Sequence, residues 1–432
     1  MHARVPQTQR RPWWIPPFLG KVPAKLERRH LDVLGVVSLA LLFEEYDSAM
    51  LISALKHIAH DLGMAEADLG LYLGLIRLGA LPAFFCMPLA DRFGRRPVFI
   101  ASTVALGVVT FATAFAGSAT QFVILQALTR TFFITGTTAG FVIVTEEFPA
   151  EHRGWGTGML AALGALGHGL SAILFSQIER LPFGWRALYV VGVVPVFCLP
   201  LFLKRIQESD RFSRHRRELG VVATGLVATV FGPMRALFVT HPQRAAVLAL
   251  CGVLLAGATL PSFQFSGFFT QERLGWKPSQ YSIMVIAGGA IGILGNIAAG
   301  RLGDVFGRKR VGFVLLVLFP VASFAFYRSA SWVVPIAWVP LVFCFMGGRV
   351  ILKALSAELF PTAYRSAAAG LFAVMEALGA VVGMFVVYLY RSENTDHLSG
   401  TVPLAALAVV GAALLLLTFP ETTRRELEQI AP

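Results

Sequence analysis

The stretch LADRFGRRPV at residues 89–98 returns as LGDVFGRKRV at residues 302–311, 213 positions further along the chain. Two other motif pairs repeat at almost the same offset: EEFPAEHRGWGTG (146–158) with ELFPTAYRSAAAG (358–370), and ESDRF (208–212) with ETTRR (421–425). Three motifs in one order at offsets of 212 or 213 rarely arise by chance. The chain is therefore predicted to consist of two homologous halves.

The composition indicates what the halves are made of. The 432 residues are 56% hydrophobic and 14% charged, whereas soluble proteins average about 25% charged residues. This deficit excludes an ordinary soluble enzyme and argues against nucleic-acid binding as the reason for the net charge of +12. A helix needs about 20 apolar residues to cross a bilayer. The stretches that qualify, numbered span 1 to span 12 below, are about 31–55, 67–89, 97–117, 120–145, 155–178, 185–203, 245–270, 280–300, 311–328, 332–357, 366–390 and 401–419.

These spans predict an all-α integral membrane protein with twelve transmembrane helices in two pseudo-symmetric six-helix bundles. The bundles cover residues 31–203 and 245–419, and residues 420–432 form a short C-terminal tail. Residues 1–30 have no signal sequence, and we expect a flexible tail that rests on anionic lipid or is simply disordered. The linker 204–244 is polar and amphipathic, and its apolar segment is too short to span, so it is predicted to form part of an interfacial helix.

The basic residues predict the orientation of the chain. With both termini inside, 26 of the 37 Lys and Arg residues fall on cytoplasmic segments and 7 on external ones, as the positive-inside rule requires. We therefore expect a multi-pass protein of the cell (inner or plasma) membrane with both ends in the cytoplasm. The four cysteines form no CxxC pair, so no metal site is expected.

The repeated motifs carry a family resemblance. Loops of the form Asp-x-x-Gly-Arg-Arg/Lys follow spans 2 and 8, and Glu-x-x-Pro-x-x-x-Arg motifs follow spans 4 and 10. The chain resembles the major facilitator superfamily, and with FEEYD (43–47) and PETTRRELEQI (420–430) it is similar to the sugar-porter and metabolite–proton symporter branches. Parallel repeats of this kind place a transport site between the two halves.

The charged loop residues are candidates for a cytoplasmic gate. Acids and arginines recur at matching places in the two halves, and arginine offers a planar fork suited to carboxylates. The resemblance implies that such networks latch the halves together when the protein is open outward. The alternative is that they are solvated charges that only set topology. The candidate gate residues are Asp91, Arg95, Glu146, Glu147, Arg153, Glu208 and Arg211 in the first half, and Asp304, Arg308, Glu358, Arg365 and Glu421 in the second.

Ionisable residues within the spans are candidates for the transport chemistry, because charge inside a bilayer is unfavourable. Glu44 and Asp47 lie three positions apart on span 1 and share a helix face. Arg130 in span 4 lies at a similar depth, which permits an acid–base pair that protonation would break. The resemblance also implies that such a pair couples protons to transport. Asp47 is the first choice for the proton site and Glu44 the second, and a static pair that locks two helices is the alternative.

Four other charges predict the nature of the solute. Arg77 and Glu376 lie in spans that meet between the halves of the resembled fold, so a salt bridge between them is expected to act as a gate or a substrate contact. Arg349 and Lys353 share one face of span 10, which favours an anionic substrate. The alternative for Lys353 is that it extends to the cytoplasmic interface. Gln264 and Asn296 are weaker candidates for substrate contacts.

Together these observations predict a secondary transporter of a small organic solute that works by alternating access. We expect proton-coupled symport of an organic anion, with the proton gradient as the driving force, no cofactor and a monomeric protein. A sugar or polyol porter, a facilitator and a proton-coupled drug exporter remain alternatives. A membrane receptor or enzyme would need a polar domain or catalytic motifs, and no Walker loop or HExxH motif is found, so no catalytic residue is assigned.

Overall fold

The computed structural model describes residues 11–19, 22–23, 26–206, 226–361, 364–390 and 397–422. Regular structure in these ranges is entirely helical. Ten helical segments there are long and apolar enough to cross a membrane. Two further helices, Arg28–Asp61 and Pro278–Phe306, have 34 and 29 residues, more than the roughly 20 that a bilayer requires. The described chain therefore supplies all twelve predicted spans.

The first half contains spans 1 to 6. Span 1 is Arg28–Asp61, span 2 is Leu69–Leu78 with Ala80–Phe93, span 3 is Arg95–Thr113, span 4 is Ala119–Glu147, span 5 is Arg153–Phe175, and span 6 comprises Trp185–Val190, Val194–Phe197 and Leu199–Arg205. Span 2 is interrupted at Gly79. In span 6, Pro195 and Pro200 each lie in the first turn of a short helix, where proline is tolerated because no intrahelical N–H bond is lost.

The second half repeats this pattern. Span 7 is Pro242–Gln264 with Ser266–Glu272, span 8 is Pro278–Phe306, span 9 is Arg308–Arg328, span 10 is Val334–Glu358, span 11 is Arg365–Leu389, and span 12 is His397–Ala406 with Ala408–Leu416. Pro261 lies inside span 7 three residues before the break that follows Gln264. Because proline removes a helical hydrogen bond, it weakens the helix at this point.

The repeated loop motifs have the same backbone geometry in both halves. Gly94 joins spans 2 and 3 with a φ of 108°, and Gly307 joins spans 8 and 9 with a φ of 100°. Residues with a side chain rarely adopt these angles. A Cβ at Gly307 would also lie 2.8 Å from Oε2 of Glu421. The glycine of the repeated motif is thus required for the sharp connection between consecutive spans.

Close glycine contacts hold equivalent helices together in each half. A Cβ at Gly167 in span 5 would lie 2.1 Å from the Leu42 carbonyl oxygen in span 1. A Cβ at Gly379 in span 11 would lie 2.3 Å from the Val253 carbonyl oxygen in span 7. The two glycines are 212 positions apart, the offset of the loop motifs. Small residues allow helix backbones to approach closely in membranes. The same kind of close contact occurs in both halves.

The described part of the N-terminal segment packs against the first half. Ile15 is 1% exposed, and the ring of Trp14 lies against Gly35 in span 1, where a Cβ would approach it to 2.9 Å. Residues 11–19 therefore pack against the end of span 1 through apolar side chains, and the flexibility expected of the N-terminal tail stays a prediction. A helix at Leu226–Thr240 lies in the predicted linker.

Candidate functional site

Asp47 lies in a buried polar seam between spans 1, 3 and 4. Its side chain is 5% exposed and accepts a hydrogen bond of 3.1 Å from Thr110 Oγ1 in span 3. The side chain of Gln126 in span 4 also lies near the Asp47 carboxyl group, and its amide donates a 3.5 Å hydrogen bond to Thr113 Oγ1. The seam therefore presents Asp47 with neutral donors, which can satisfy it without the counter-ion that a buried charge ordinarily needs.

Glu44 occupies the same seam one helical turn away. It is 1% exposed, and its Oε2 accepts a 2.6 Å hydrogen bond from Thr137 Oγ1 in span 4. Its Oε1 is buried without a hydrogen-bond partner among the described residues. A Cβ at Gly136 would lie 2.5 Å from this oxygen, so the absence of a side chain at Gly136 makes room for Glu44.

Arg130 lies near the seam but forms no ion pair with Asp47. Its guanidinium carbon lies 4.9 Å from the centroid of the Phe133 ring, and its Nε has no hydrogen-bond partner in the described part of the chain. Arg130 interacts electrostatically with Glu45 and Asp47. The predicted Asp47–Arg130 contact is thus not formed in this structure, because Asp47 is turned towards the hydroxyl and amide donors of spans 3 and 4.

The predicted salt bridge between Arg77 and Glu376 is wrong. Glu376 in span 11 binds Arg349 of span 10 instead, with distances of 2.8 Å from Nε to Oε1 and 3.2 Å from Nη2 to Oε2. This two-pronged geometry suits a guanidinium and a carboxylate on adjacent helices. Arg77 donates a 2.7 Å hydrogen bond to Gln264 Oε1 in span 7, so its contact across the halves is with an amide.

Arg77, Arg130 and Arg349 come together between the halves. Arg77 lies close enough to Arg130 and Arg349 for the three positive charges to repel one another. Arg349 is neutralised by Glu376, whereas neither Arg77 nor Arg130 has a carboxylate within 4.0 Å among the residues that the structure describes. Arg77 and Arg130 therefore lack a directly paired carboxylate among the described residues, and Glu45 and Asp47 act on Arg130 only from a distance.

The remaining substrate candidates are less well defined. Lys353 is exposed and interacts electrostatically with Arg349 and Glu376. The side chain of Asn296 lies outside the described residues. Gln264 is 1% exposed, and its Nε2 has no partner within the described ranges. Gln264 thus holds Arg77 with its oxygen, while its amide nitrogen is buried.

The gate candidates form matching contacts within each half, on the face that carries Gly94 and Gly307, here called the terminal face. In the first half, Arg95 Nε lies 3.3 Å from Glu146 Oε1. In the second half, Arg308 forms an ion pair with Glu358. Arg153 and Arg365 each donate a 3.3 Å bond to the carbonyl oxygen of the residue five positions earlier. The repeated spacing therefore produces repeated geometry.

Other gate candidates have their own partners. Glu147 binds Arg29 at 2.6 Å rather than an arginine of the motif. Asp304 Oδ1 lies 3.4 Å from Arg308 Nη2, and Glu421 accepts the backbone N–H groups of Arg308 and Lys309 at 3.0 and 3.3 Å. Glu421 thus caps the start of span 9. The side chain of Asp91 and residues Glu208 and Arg211 lie outside the described residues.

The ion pairs that join the two halves in the described ranges lie on the opposite face, here called the distal face. Lys56 and His60 of span 1 approach Oε2 of Glu272 at 3.1 and 3.2 Å. Arg273 donates to both carboxylate oxygens of Glu66 at 2.6 and 2.7 Å. Within the described part of the chain, no ion pair between the halves is found on the terminal face. The halves are tied at the distal face.

Sequence reasoning missed the distal pairs and the hydroxyl donors of the seam. A signal was present in the sequence for Lys56 and Glu272. They follow the predicted stretches 31–55 and 245–270, which correspond in the two halves. Thr110 and Thr137 gave no such signal, because isolated threonines are common in membrane helices. Their roles follow only from the helix rotation that turns them towards span 1.

Comparison with known proteins agrees with this architecture. The niacin transporter NiaP of Acinetobacter baylyi is 25% identical over 93% of this chain and 96% of its own length. The 4-hydroxybenzoate transporter PcaK of Pseudomonas putida is 23% identical over 91% of this chain and 94% of its own. Both alignments extend over more than nine tenths of each chain.

Solved structures show the same fold. A crystal structure of the D-xylose-proton symporter matches with a TM-score of 0.73 and 18% identity, covering 91% of this chain and 98% of the other. The inward-open xylose transporter XylE from E. coli matches with a TM-score of 0.72, over 93% and 99% of the two chains. The family model of the Major Facilitator Superfamily matches residues 37–384 and 245–431. The chain is a multi-pass membrane transporter and belongs to the Major Facilitator Superfamily.

Proposed function

We propose that this transporter carries a small organic carboxylate in symport with a proton. The observation that carries the proposal is the convergence of Arg77, Arg130 and Arg349 between the halves, with a carboxylate partner only for Arg349. Arginines that lie within membrane spans without a directly paired carboxylate favour a bound anion. Relatives named as transporters of niacin, 4-hydroxybenzoate and cis,cis-muconate carry organic acids, which supports the same class here.

Asp47 supplies the coupling to protons in this proposal, with Glu44 as a second acid in the same seam. An ionised Asp47 offsets the charge of Arg130, with which it interacts electrostatically. When Asp47 is protonated, this compensation is lost and Arg130 becomes a better site for the substrate anion. The proton and the anion therefore bind together, which is the requirement for symport.

The first experiment measures uptake into proteoliposomes that are acidic outside and alkaline inside. Radiolabelled benzoate, nicotinate and xylose distinguish an anion transporter from a sugar porter. Arg77→Gln should lower carboxylate affinity by about tenfold or more, because a hydrogen bond to a charged group is lost. Arg180→Gln, which changes an exposed arginine of the distal loops, is the matched control. Uptake of xylose but of neither acid would refute the anion proposal.

The second experiment addresses the proton. Asp47→Asn should leave exchange of the carboxylate across the membrane intact, while net uptake no longer responds to the pH gradient. Uptake that still follows the gradient in Asp47→Asn would show that another group carries the proton, and Glu44→Gln then tests the second acid.

We also propose that the protein is a monomer of the plasma membrane with both termini in the cytoplasm. The excess of basic residues on the segments of the terminal face supports this orientation. Protease cleavage of tags at the two ends in intact cells tests it, since neither tag should be cut from outside. Light scattering of the purified protein tests the monomer.

A further inference from the structure

Two ionisable side chains in the middle of the first half have no part in the proposed mechanism. Glu45 in span 1 and His168 in span 5 are 28% and 45% exposed, and their Oε2 and Nδ1 atoms lie 3.6 Å apart. The close approach of the two helices fixes this neighbourhood, because a Cβ at Gly167 would lie 3.1 Å from Cβ of Glu45. The backbone thus places the two side chains next to each other.

The exposure of this pair indicates the space that it faces. An exposed carboxylate in the middle of a span is unfavourable against lipid and is found next to water-filled cavities. Glu45 interacts electrostatically with Arg130 of its own half and with Arg349 of the other half. It forms no ion pair within 4.0 Å with either arginine in the parts that the structure describes. Glu45 therefore faces the space between the halves, separated from the arginines by a gap.

Two kinds of side chain border this gap. On one side the arginines offer hydrogen-bond donors and positive charge, and on the other Glu45 offers acceptors and His168 a ring nitrogen. A substrate that bound only through its carboxylate to the arginines would leave the space in front of Glu45 unfilled.

We propose that Glu45 and His168 recognise a hydrogen-bonding group at the far end of the substrate, whose carboxylate lies against Arg77 and Arg130. The substrate class is then a small carboxylate with a hydroxyl group or a ring nitrogen opposite the acid. Glu45 accepts the hydroxyl hydrogen, and the imidazole of His168 donates to a ring nitrogen. This inference rests on the proposed function and adds to it the basis of specificity.

The test compares the binding of benzoate, 4-hydroxybenzoate and nicotinate to the purified full-length protein by calorimetry. The wild type should bind 4-hydroxybenzoate about tenfold more tightly than benzoate, since the extra hydrogen bond is made to a charged group. Glu45→Met should abolish this preference and leave benzoate affinity unchanged. The wild type should also bind nicotinate more tightly than benzoate, and His168→Phe should abolish that preference. Asp61→Asn, which changes an acid at the distal end of the same helix, should retain both preferences.

The outcomes separate this inference from the proposed function. If carboxylates bind and all variants keep the wild-type preferences, Glu45 and His168 only tie two helices together and the inference is wrong. If the wild type binds carboxylates without any preference, the inference again fails while the proposed function stands. If no carboxylate binds, both fail. Glu45→Gln keeps the size and polarity of the side chain, and a weakened preference in this variant supports the inference even if Glu45→Met does not fold.

Discussion

Lys56 of span 1 and Glu272 of span 7 form an ion pair of 3.1 Å that joins the two halves at the distal face. The same Lys56 Nζ donates a 3.0 Å bond to the Gln271 carbonyl oxygen, and Gln271 Nε2 donates a 2.9 Å bond to the Ser53 carbonyl oxygen. Side chains of span 1 and of span 7 therefore both contribute to the link between the first helices of the two halves. Alternating access requires these contacts to break when the distal face opens.

The first prediction concerns this latch. Glu272→Gln removes the charge that holds Lys56 and His60, so the equilibrium should move towards a state that is open at the distal face. Pairs of this exposure contribute about 0.2–1 kcal/mol, so the open population should rise about 1.4- to 5-fold. Spin labels at Phe183→Cys and Trp332→Cys, in exposed loops of the two halves, report the opening as a longer distance after the four native cysteines are replaced.

The matched control is Arg186→Gln. Arg186 forms an ion pair with Asp61 on the same face, but both residues belong to the first half. Its loss should leave the distance distribution unchanged. An equal lengthening in the control and in Glu272→Gln would mean that general loosening of the distal loops, rather than the pair between the halves, sets the equilibrium.

The repeat in the sequence was sufficient to predict the halves and the paired loop motifs, and the apolar stretches were sufficient to predict the twelve spans. Glycine at positions 94 and 307 has the same positive φ, and Arg95–Glu146 recurs as Arg308–Glu358. These contacts are local or join consecutive motifs, so motif spacing is enough to specify them. The closely packed glycines at positions 167 and 379 could have been found from the same offset.

The partners of the central charges could not be predicted in this way. Arg349, Glu376 and Arg77 lie at compatible depths, and depth alone allows several pairings. Which pair forms depends on the rotation of each span about its axis, and spans 10 and 11 turn Arg349 and Glu376 towards each other. A motif does not encode this rotation, because it results from the packing of all the neighbouring helices.

The second prediction uses the glycines of span 5. Gly167→Ala should lower both stability and transport, because its Cβ would meet the Leu42 carbonyl oxygen at 2.1 Å and the backbone of span 1 must move. Overpacking of this kind costs about 1–3 kcal/mol. Gly169→Ala is the control two residues away, where a Cβ would meet nothing within 4 Å. Thermal unfolding followed by size-exclusion chromatography measures the difference, and equal melting of the two variants would contradict the predicted close contact.

The third prediction concerns the repeated loop. Gly307→Ala should destabilise the protein by about 1–3 kcal/mol, because a side chain at a φ of 100° is strained. The added Cβ would also displace Glu421 from the start of span 9, where it lies 2.8 Å away. Gly289→Ala in the preceding helix meets nothing within 4 Å and should be neutral. Tm values measured in one detergent test this, and a Gly307→Ala protein as stable as Gly289→Ala would contradict the expectation.

The last prediction concerns Arg349 and Glu376. Glu376→Gln removes the carboxylate that neutralises Arg349. Arg349 then lacks a directly paired carboxylate, as Arg77 and Arg130 do. If the solute is an anion, its affinity should rise about tenfold and its turnover should fall, because tighter ground-state binding slows release. Kd from calorimetry and kcat from uptake measure the two effects separately.

Glu376→Asp is the matched variant, since it keeps the negative charge on a shorter side chain. It should retain an affinity close to that of the wild type. A purely structural pair would behave differently: both variants would melt at lower temperature, and neither would bind the anion more tightly. An unchanged Kd in Glu376→Gln would therefore show that Arg349 does not contribute to the anion site, and that its bond to Glu376 serves to hold spans 10 and 11 together.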